Sequence, residues 1–290
     1  MHGWLAALAN VCGGSTYPVT TIALRGFPER DLIFVRMLVA AALFVPFLWR
    51  GRARLRGLSR REWALCAVAG VCGFGLPIVL GTVGQKLSSA TSASLLIGME
   101  PVTIVLLSAL FLGEHMNRWK AAAMVLGLSG ASFIAFQGPP SLGDAFSDRL
   151  QGDLILATHG ACWALYTVIG KPVLKKLQPL DFAAVTAVFG AAATTVWGLA
   201  GGVSPSAWAA APAASWTALI YLVLIGSFVG TWLWNTALEG LDASSQANFI
   251  FLQPLVGVLL GVGLLGDPFT RWTAFGGALV LAGVWSANRS

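Results

Sequence analysis

Charge is what this sequence has least of. Only 10% of its 290 residues are Asp, Glu, Lys or Arg, whereas a soluble globular domain carries about 25%. A chain that is also 57% hydrophobic cannot build a water-compatible surface around a single core. The four cysteines, Cys12, Cys66, Cys72 and Cys162, all fall inside apolar stretches. That placement offers neither ligand spacing nor a disulfide framework, so each reads as a small hydrophobe. There is no His-Glu-x-x-His, no phosphate-binding glycine loop, no nucleophile elbow and no carboxylate pair at chemical spacing. An enzyme has little to work with here, and no metal or cofactor is expected. The apolar segments also lack the several cations that a phosphorylated or nucleotide ligand would need.

The abundant feature is apolar length. With a mean hydropathy of +0.76 and about 20 apolar residues needed to cross the hydrocarbon layer, the chain has room for about ten membrane spans and no sizeable soluble domain. Hydrophobic runs interrupted by charged or Pro/Gly-rich breaks fall at 3–23, 32–49, 63–83, 88–112 and 119–137, then at 153–170, 182–200, 215–236, 243–265 and 271–287. Between the two sets lies a polar linker with Gly138, Pro139, Pro140, Asp144, Asp148 and Arg149. The N-terminal apolar stretch has no basic residue before it and reads as a first helix rather than a signal peptide.

The net charge of +6 is an orientation signal rather than a nucleic-acid footprint. Arg50, Arg52, Arg54, Arg56, Arg60 and Arg61 crowd one loop, and Lys and Arg near span ends stay cytoplasmic. With that loop inside, Arg118, Lys120, Lys171, Lys175, Lys176 and Arg289 also fall inside, leaving Arg25, Arg30, Lys86, Arg149 and Arg271 outside and Arg36 within a span. Both termini are then cytoplasmic, in a membrane expected to be the bacterial inner membrane.

The sequence also repeats itself. An ungapped shift of 153 residues aligns Trp63 with Trp216, Gly73 with Gly226, Ala90 with Ala243, Ser92 with Ser245, Pro101 with Pro254, Gly113 with Gly266, Glu114 with Asp267, Arg118–Trp119 with Arg271–Trp272, and Gly130 with Gly283. Nearer the start the shift drifts to about 150, where Asp31 meets Asp181 and Tyr17 meets Tyr166. The repeat unit is five spans, covering 1–138 and 152–290. An odd number of spans inverts the second copy, and inverted repeats are a signature of transporters with a binding site near the midplane. The expected fold is therefore all-α and integral to the membrane: ten transmembrane helices, arranged as two inverted five-helix repeats around a central cavity.

Within this frame Pro101 and Pro254 occupy matching positions in the fourth and ninth spans. Each deletes a backbone N–H and frees the carbonyl of Ile97 or Ile250, which predicts a symmetric pair of hinges. Before them stand Glu100 and Gln253. Glu100 is the acidic side chain nearest the bilayer centre, where burial of an ionisable group marks a functional candidate. Arg36 is a possible counter-charge for it, or a snorkelling residue. The serines Ser89, Ser92, Ser94, Ser244 and Ser245 fit close helix packing, whereas Gln246, Asn248 and Gln253 are harder to hide, so one or more of them should face a wet cavity. Trp49, Trp63, Trp119, Trp216 and Trp272 sit at span ends as interfacial anchors. Tyr17, Trp163, Tyr166, Trp234 and Asn235 lie deeper and are candidates for a cavity wall. His159, whose repeat partner is about Asn10, fits an interhelical hydrogen bond or a proton relay.

Taken together these residues resemble the drug/metabolite transporter superfamily, in particular its EamA-type ten-helix permeases. The likeness spans nearly the whole chain: Arg36 leading an Ala-rich second helix, Ala90 through Pro101 to Glu114, Trp163 after Gly152 and Asp153, and Ala243 through Pro254 to Asp267. It implies a basket-like fold whose cavity is lined by helices one, three, four, six, eight and nine. Family members often carry Trp-Gly-Ser where this chain has Gly13, Gly14 and Ser15, which implies a cavity enlarged at Gly13. The implied activity is export of amino acids, including aromatic ones, or of other metabolites.

The expected function is alternating-access movement of a small amphipathic metabolite, most readily an amino acid, by a monomer embedded in lipid. The substrate-binding candidates are Tyr17, Ser94, Met99, Glu100, Trp163, Tyr166, Trp234, Asn235, Asn248 and Gln253. Efflux of hydrophobic cations, with Glu100 as counter-charge, is the rival within transport. A membrane-embedded enzyme acting on lipid and a non-transporting scaffold are the rivals outside it.

Overall fold

A computed structural model describes residues 2–87, 100–136, 150–266 and 269–289, and among these the chain is helical with no β-strand. Helix α1 spans His2–Ala23 and α2 spans Glu29–Arg56. Helix α3 runs from Arg60–Gly70 through a π-helical stretch, Val71–Gly75, into Leu76–Leu87. The described part of α4 is Glu100–Leu112, and α5 is Arg118–Phe136. The second half has α6 (Leu150–Val173), α7 (Pro179–Ala200), a short helix Pro205–Ala210, α8 (Ala213–Gly240), α9 (Ala243–Leu265) and α10 (Arg271–Ala287).

Among the described residues, five helices are long and apolar enough to cross a membrane: α2, α3 over Arg60–Gly84, α7, α8 and α9. The molecule is apolar outside and polar inside. Leu110 is 74% exposed, Val196 69% and Trp49 71%, while Asn10, Thr186, Asn235, Gln246 and Asn248 are fully buried. Hydrocarbon, not water, is the solvent that makes such a surface stable.

Helix ends follow from local chemistry that recurs between the halves. Gly113 and Gly266, at matching positions, have φ of 68° and 77°, a left-handed conformation that favours Gly and ends α4 and α9. Asn117 caps α5 by accepting from the backbone N–H of Trp119 (2.9 Å) and Lys120 (2.8 Å). Its repeat equivalent Thr270 caps α10 by accepting from Thr273 N–H at 3.2 Å. Helix α2 outruns the expected 32–49 because Arg50 to Arg56 extend it beyond the apolar segment; Arg is a good helix former and suits a helix C-terminus.

Two antiparallel pairs join the halves. Helices α5 and α10 cross through glycines: a Cβ on Gly130 would lie 2.5 Å from Gly276 O, and one on Gly283 3.0 Å from Ala123 O. Helices α2 and α7 pack along their length, with an aspartate at each end. Asp181 in the first turn of α7 accepts from Arg54 Nε near the end of α2 at 2.5 Å. Asp31 in the first turn of α2 accepts from Ser204 N–H (2.7 Å) and Trp208 Nε1 (2.6 Å), just past the end of α7.

The end of the molecule that holds the α2–α3 connection is laced with charge. Besides Arg54–Asp181, Lys176 Nζ lies 2.6 Å from Glu62 and Lys120 Nζ 2.8 Å from Asp242. Glu114 accepts from the N–H groups of Ala243 (2.8 Å) and Ser244 (2.9 Å), so its carboxylate sits on the N-terminus of α9. Lys171 Nζ donates to the carbonyls of Leu238 (2.8 Å) and Leu241 (2.6 Å) at the end of α8; partial burial lowers its pKa from the usual lysine value.

Candidate functional site

A cavity of about 600 Å³ opens beside the α1–α2 connection, at Leu24, Phe27 and Pro28, and penetrates to the middle of the helices. Seven helices wall it: α1, α2, α3, α4, α6, α8 and α9. The resemblance implied six of them; α2 is the addition, through Arg36 and Glu29.

At its floor two bridges link the halves. His159 Nδ1 of α6 stands 2.9 Å from Glu100 Oε1 of α4, in direct contact but without the alignment of a hydrogen bond. Gln253 Nε2 of α9 donates to Asn10 Oδ1 of α1 at 2.8 Å. Glu100 corresponds to Gln253 in the repeat and His159 to Asn10, so the same cross-link occurs once with titratable side chains and once with neutral amides. Tyr17 OH adds a 3.2 Å hydrogen bond to Gln253 Oε1.

Aromatic rings form one wall. Trp163 stacks on Tyr166 (centroids 5.2 Å apart) and tilts against Trp234 (5.4 Å), and Tyr166 in turn stacks on Phe182 (5.6 Å). The wall is backed by the π-helical stretch of α3, where a Cβ on Gly73 would strike the Tyr166 ring. Its counterpart in α8 is a second π-helical stretch, Leu222–Val229, containing Gly226 and Ser227. Each aims backbone-adjacent residues at the cavity: Gly73 and Phe74 from α3, Gly226 and Ser227 from α8. π-Bulges of this kind tend to sit at functional sites.

Of the sequence-derived candidates, Tyr17, Glu100, Trp163, Trp234 and Gln253 line the cavity together. Tyr166, Asn235 and Asn248 do not reach it. Tyr166 is fully buried one layer behind Trp163, donating to Asn235 Oδ1 at 2.9 Å. Asn248 is equally buried and turns Nδ2 back to Ser244 O at 3.2 Å, while Gln246 donates to Trp234 O at 2.9 Å. Each of these side chains is held inside the protein by one hydrogen bond, that of Asn248 within its own helix, which leaves Gln253 as the α9 amide that lines the cavity. Ser94 and Met99 lie outside the described residues. Arg36 does not pair with Glu100: its Nε donates to Ser227 Oγ at 3.0 Å.

The backbone before Pro254 tightens into a 3-10 turn, Asn248–Phe251, as expected where Ile250 loses its N–H partner. Pro101 sits in the first turn of the described part of α4. At Gly14 a Cβ would lie 2.6 Å from Gln253 O, so α1 and α9 meet backbone to backbone. Next to it Gly13 lines the cavity under the Gln253 carboxamide, the position where the family resemblance placed a Trp ring.

Sequence reasoning passed over Asn10 and Ser227 as site residues and gave Arg36 and His159 only secondary parts. The signal for His159 and Asn10 was present, since their repeat equivalence mirrors that of Glu100 and Gln253. Ser227 had only the Gly73–Gly226 match beside it.

An apolar exterior, a polar interior and a midlength cavity of metabolite size define a multi-pass membrane protein with a small-molecule site. The chain belongs to the EamA-like transporter family, which matches it twice, over residues 3–136 and 150–289. It is 28% identical over 289 residues to a probable terminal-alkyne amino-acid exporter of Streptantibioticus cattleyicolor, covering 99% of this chain and 93% of that one. With a probable biotin transporter of Pseudomonas aeruginosa it shares 26% identity over 262 residues, 87% of this chain and 85% of that protein. A solved crystal structure superposes with a TM-score of 0.80 over 99% of this chain and 96% of the other at 20% identity, which establishes a shared fold.

Proposed function

We infer that the protein is an alternating-access carrier that exports a small amphipathic metabolite, an amino acid being the leading cargo. The observation that carries this is a cavity built by both halves of the chain, about 600 Å³ in volume, with polar bridges at its floor and Trp163 and Trp234 on its wall. That volume suits a metabolite of amino-acid size. One relative is named for amino-acid export and another for biotin transport; both cargoes are carboxylic acids.

The mechanism rests on two units, 1–138 and 152–290, inverted in the membrane as ten spans. Supporting it are the twofold family match, the aspartate clasps at opposite ends of α2 and α7, the reciprocal glycine crossing of α5 and α10 and the paired floor bridges. Among the described residues, the ion pairs Arg54–Asp181, Lys120–Asp242 and Lys176–Glu62 on the α2–α3 side each join one half to the other, whereas the cavity opens on the opposite side. With the arginine-rich α2–α3 loop cytoplasmic, this arrangement is open outward and shut inward. Exchange of shape between the halves, hinged near Pro101 and Pro254, would release the latches and reverse the opening. The carrier acts as a monomer in the inner membrane with both termini inside.

Reconstituted into vesicles, the protein should exchange labelled neutral amino acids across the bilayer, and failure to do so counts against the cargo. The buried Glu100 on the cavity floor favours a second reading, efflux of hydrophobic cations. Glu100→Gln separates the two: it abolishes cation efflux but leaves neutral amino-acid exchange in place.

A further inference from the structure

Arg36 carries a positive charge that the protein itself does not match. It stands within the second helix, inside the apolar segment, and lines the cavity. Among the described residues no carboxylate forms an ion pair with it. The acids around it are placed elsewhere: Glu100 faces His159 at the floor, Asp31 is held by Ser204 and Trp208, and Glu29 stands two helical turns away at the mouth. From α8, the helix facing it, Gly226 and Ser227 approach, and neither carries charge.

The guanidinium is also fixed in orientation. Ser227 accepts from Nε at 3.0 Å. A Cβ on Gly226 would meet Thr16 Cγ2 at 2.7 Å and Arg36 Nη2 at 3.2 Å, so the bare backbone there leaves room for the guanidinium beside Thr16. Both residues belong to the π-helical stretch Leu222–Val229, which brings them to the cavity. With Nε engaged, the two Nη groups remain as a planar fork of donors. A fork of this geometry matches a carboxylate, binding it through two parallel charge-assisted hydrogen bonds. Burying an arginine at membrane depth is costly unless an anion or water meets it.

The geometry points to Arg36 as the anchor for the carboxylate of the transported molecule, which is therefore an organic monocarboxylate with an apolar body. One cation fits one carboxylate, and Trp163 and Trp234 supply the surface for the rest of the ligand. A hydrophobic cation would be repelled by the same charge. This inference rests on the carrier reading and names the chemistry that its cargo must have.

The test is counterflow exchange in vesicles containing the full chain, with a panel of L-phenylalanine, L-leucine and biotin, each against its carboxamide, and tetraphenylphosphonium as the cation. Wild-type protein is expected to prefer acid to amide by at least about tenfold. Arg36→Gln should bring that ratio to about one, Arg36→Lys should keep part of it, and Ser227→Ala, which frees Nε but retains the charge, should lower it several-fold. Amides exchanging as fast as acids in the wild type, or an unchanged ratio in Arg36→Gln, would overturn the anchor and leave the carrier standing. Exchange of tetraphenylphosphonium alone overturns the anchor and the amino-acid cargo in favour of cation efflux, and exchange of nothing in the panel overturns the carrier reading as well. Should Arg36→Gln fail to reach the membrane, the wild-type ratio and the Ser227→Ala variant decide the matter.

Discussion

At the scale of single residues, tight helix contacts in this protein depend on the absence of a side chain. Gly14 is one such case, because a methyl group there meets the Gln253 backbone rather than only a movable side chain. Gly14→Ala should therefore separate α1 from α9, destabilise the detergent-solubilised protein by about 1–3 kcal/mol, and disrupt the Gln253–Asn10 bridge; thermal unfolding and vesicle exchange would both register the loss. Sequence alone identified Glu100 and Gln253 as a matched pair, because both precede a proline at equivalent repeat positions. It did not identify their partners, since the distance between α4 and α6 is a property of packing. Asn248 illustrates the opposite error. Its size argued for a wet surface, yet within the fold it finds Ser244 O on its own helix and stays buried.

Elements respond as units at the latched end. Glu114 neutralises the N-terminus of α9, and Lys120 draws Asp242 and Ser244 toward α5. Removing the carboxylate in Glu114→Ala should cost about 1 kcal/mol and loosen the closed side. Cysteines introduced near Ser244 would then be labelled faster from the face bearing the α2–α3 loop; an unchanged labelling rate would mean that these contacts do not hold the gate. Pro254→Ala restores an N–H donor for the Ile250 carbonyl, so the 3-10 turn Asn248–Phe251 should relax toward regular helix. If that turn is a hinge, thermal stability rises while exchange slows several-fold. Both prolines were legible as hinge candidates. The π-helical stretches in α3 and α8 were not, because hydrophobic periodicity reports which face is apolar and carries no signal for an inserted residue.

Across the whole molecule, the proposed inversion of the halves makes a prediction independent of cargo. A cysteine at Gly57, in the connection between α2 and α3, should react with a membrane-impermeant reagent from the side of the N-terminus. One at Gly202, beyond the end of α7, should react from the opposite side. Both reacting from one face would refute the inversion. Charge distribution already separates the two faces: ion pairs between the halves gather where Arg54, Lys120 and Lys176 lie, while Asp31 at the other end is met by a backbone N–H and an indole.

Membrane residence and the all-helical class were legible in the sequence, because hydrocarbon dictates apolar length, and matched Gly, Pro and Trp positions gave the internal repetition on which the two-unit proposal rests. Lys and Arg counts were enough to suggest which loops stay inside. Only the tertiary structure decided which polar groups meet. Helix rotation and separation put His159 beside Glu100, Asn10 beside Gln253 and Ser227 beside Arg36, and turned Tyr166, Asn235 and Asn248 away from the cavity. Those pairings arise from contacts between helices far apart in the chain, and no local pattern of residues encodes a distance between them.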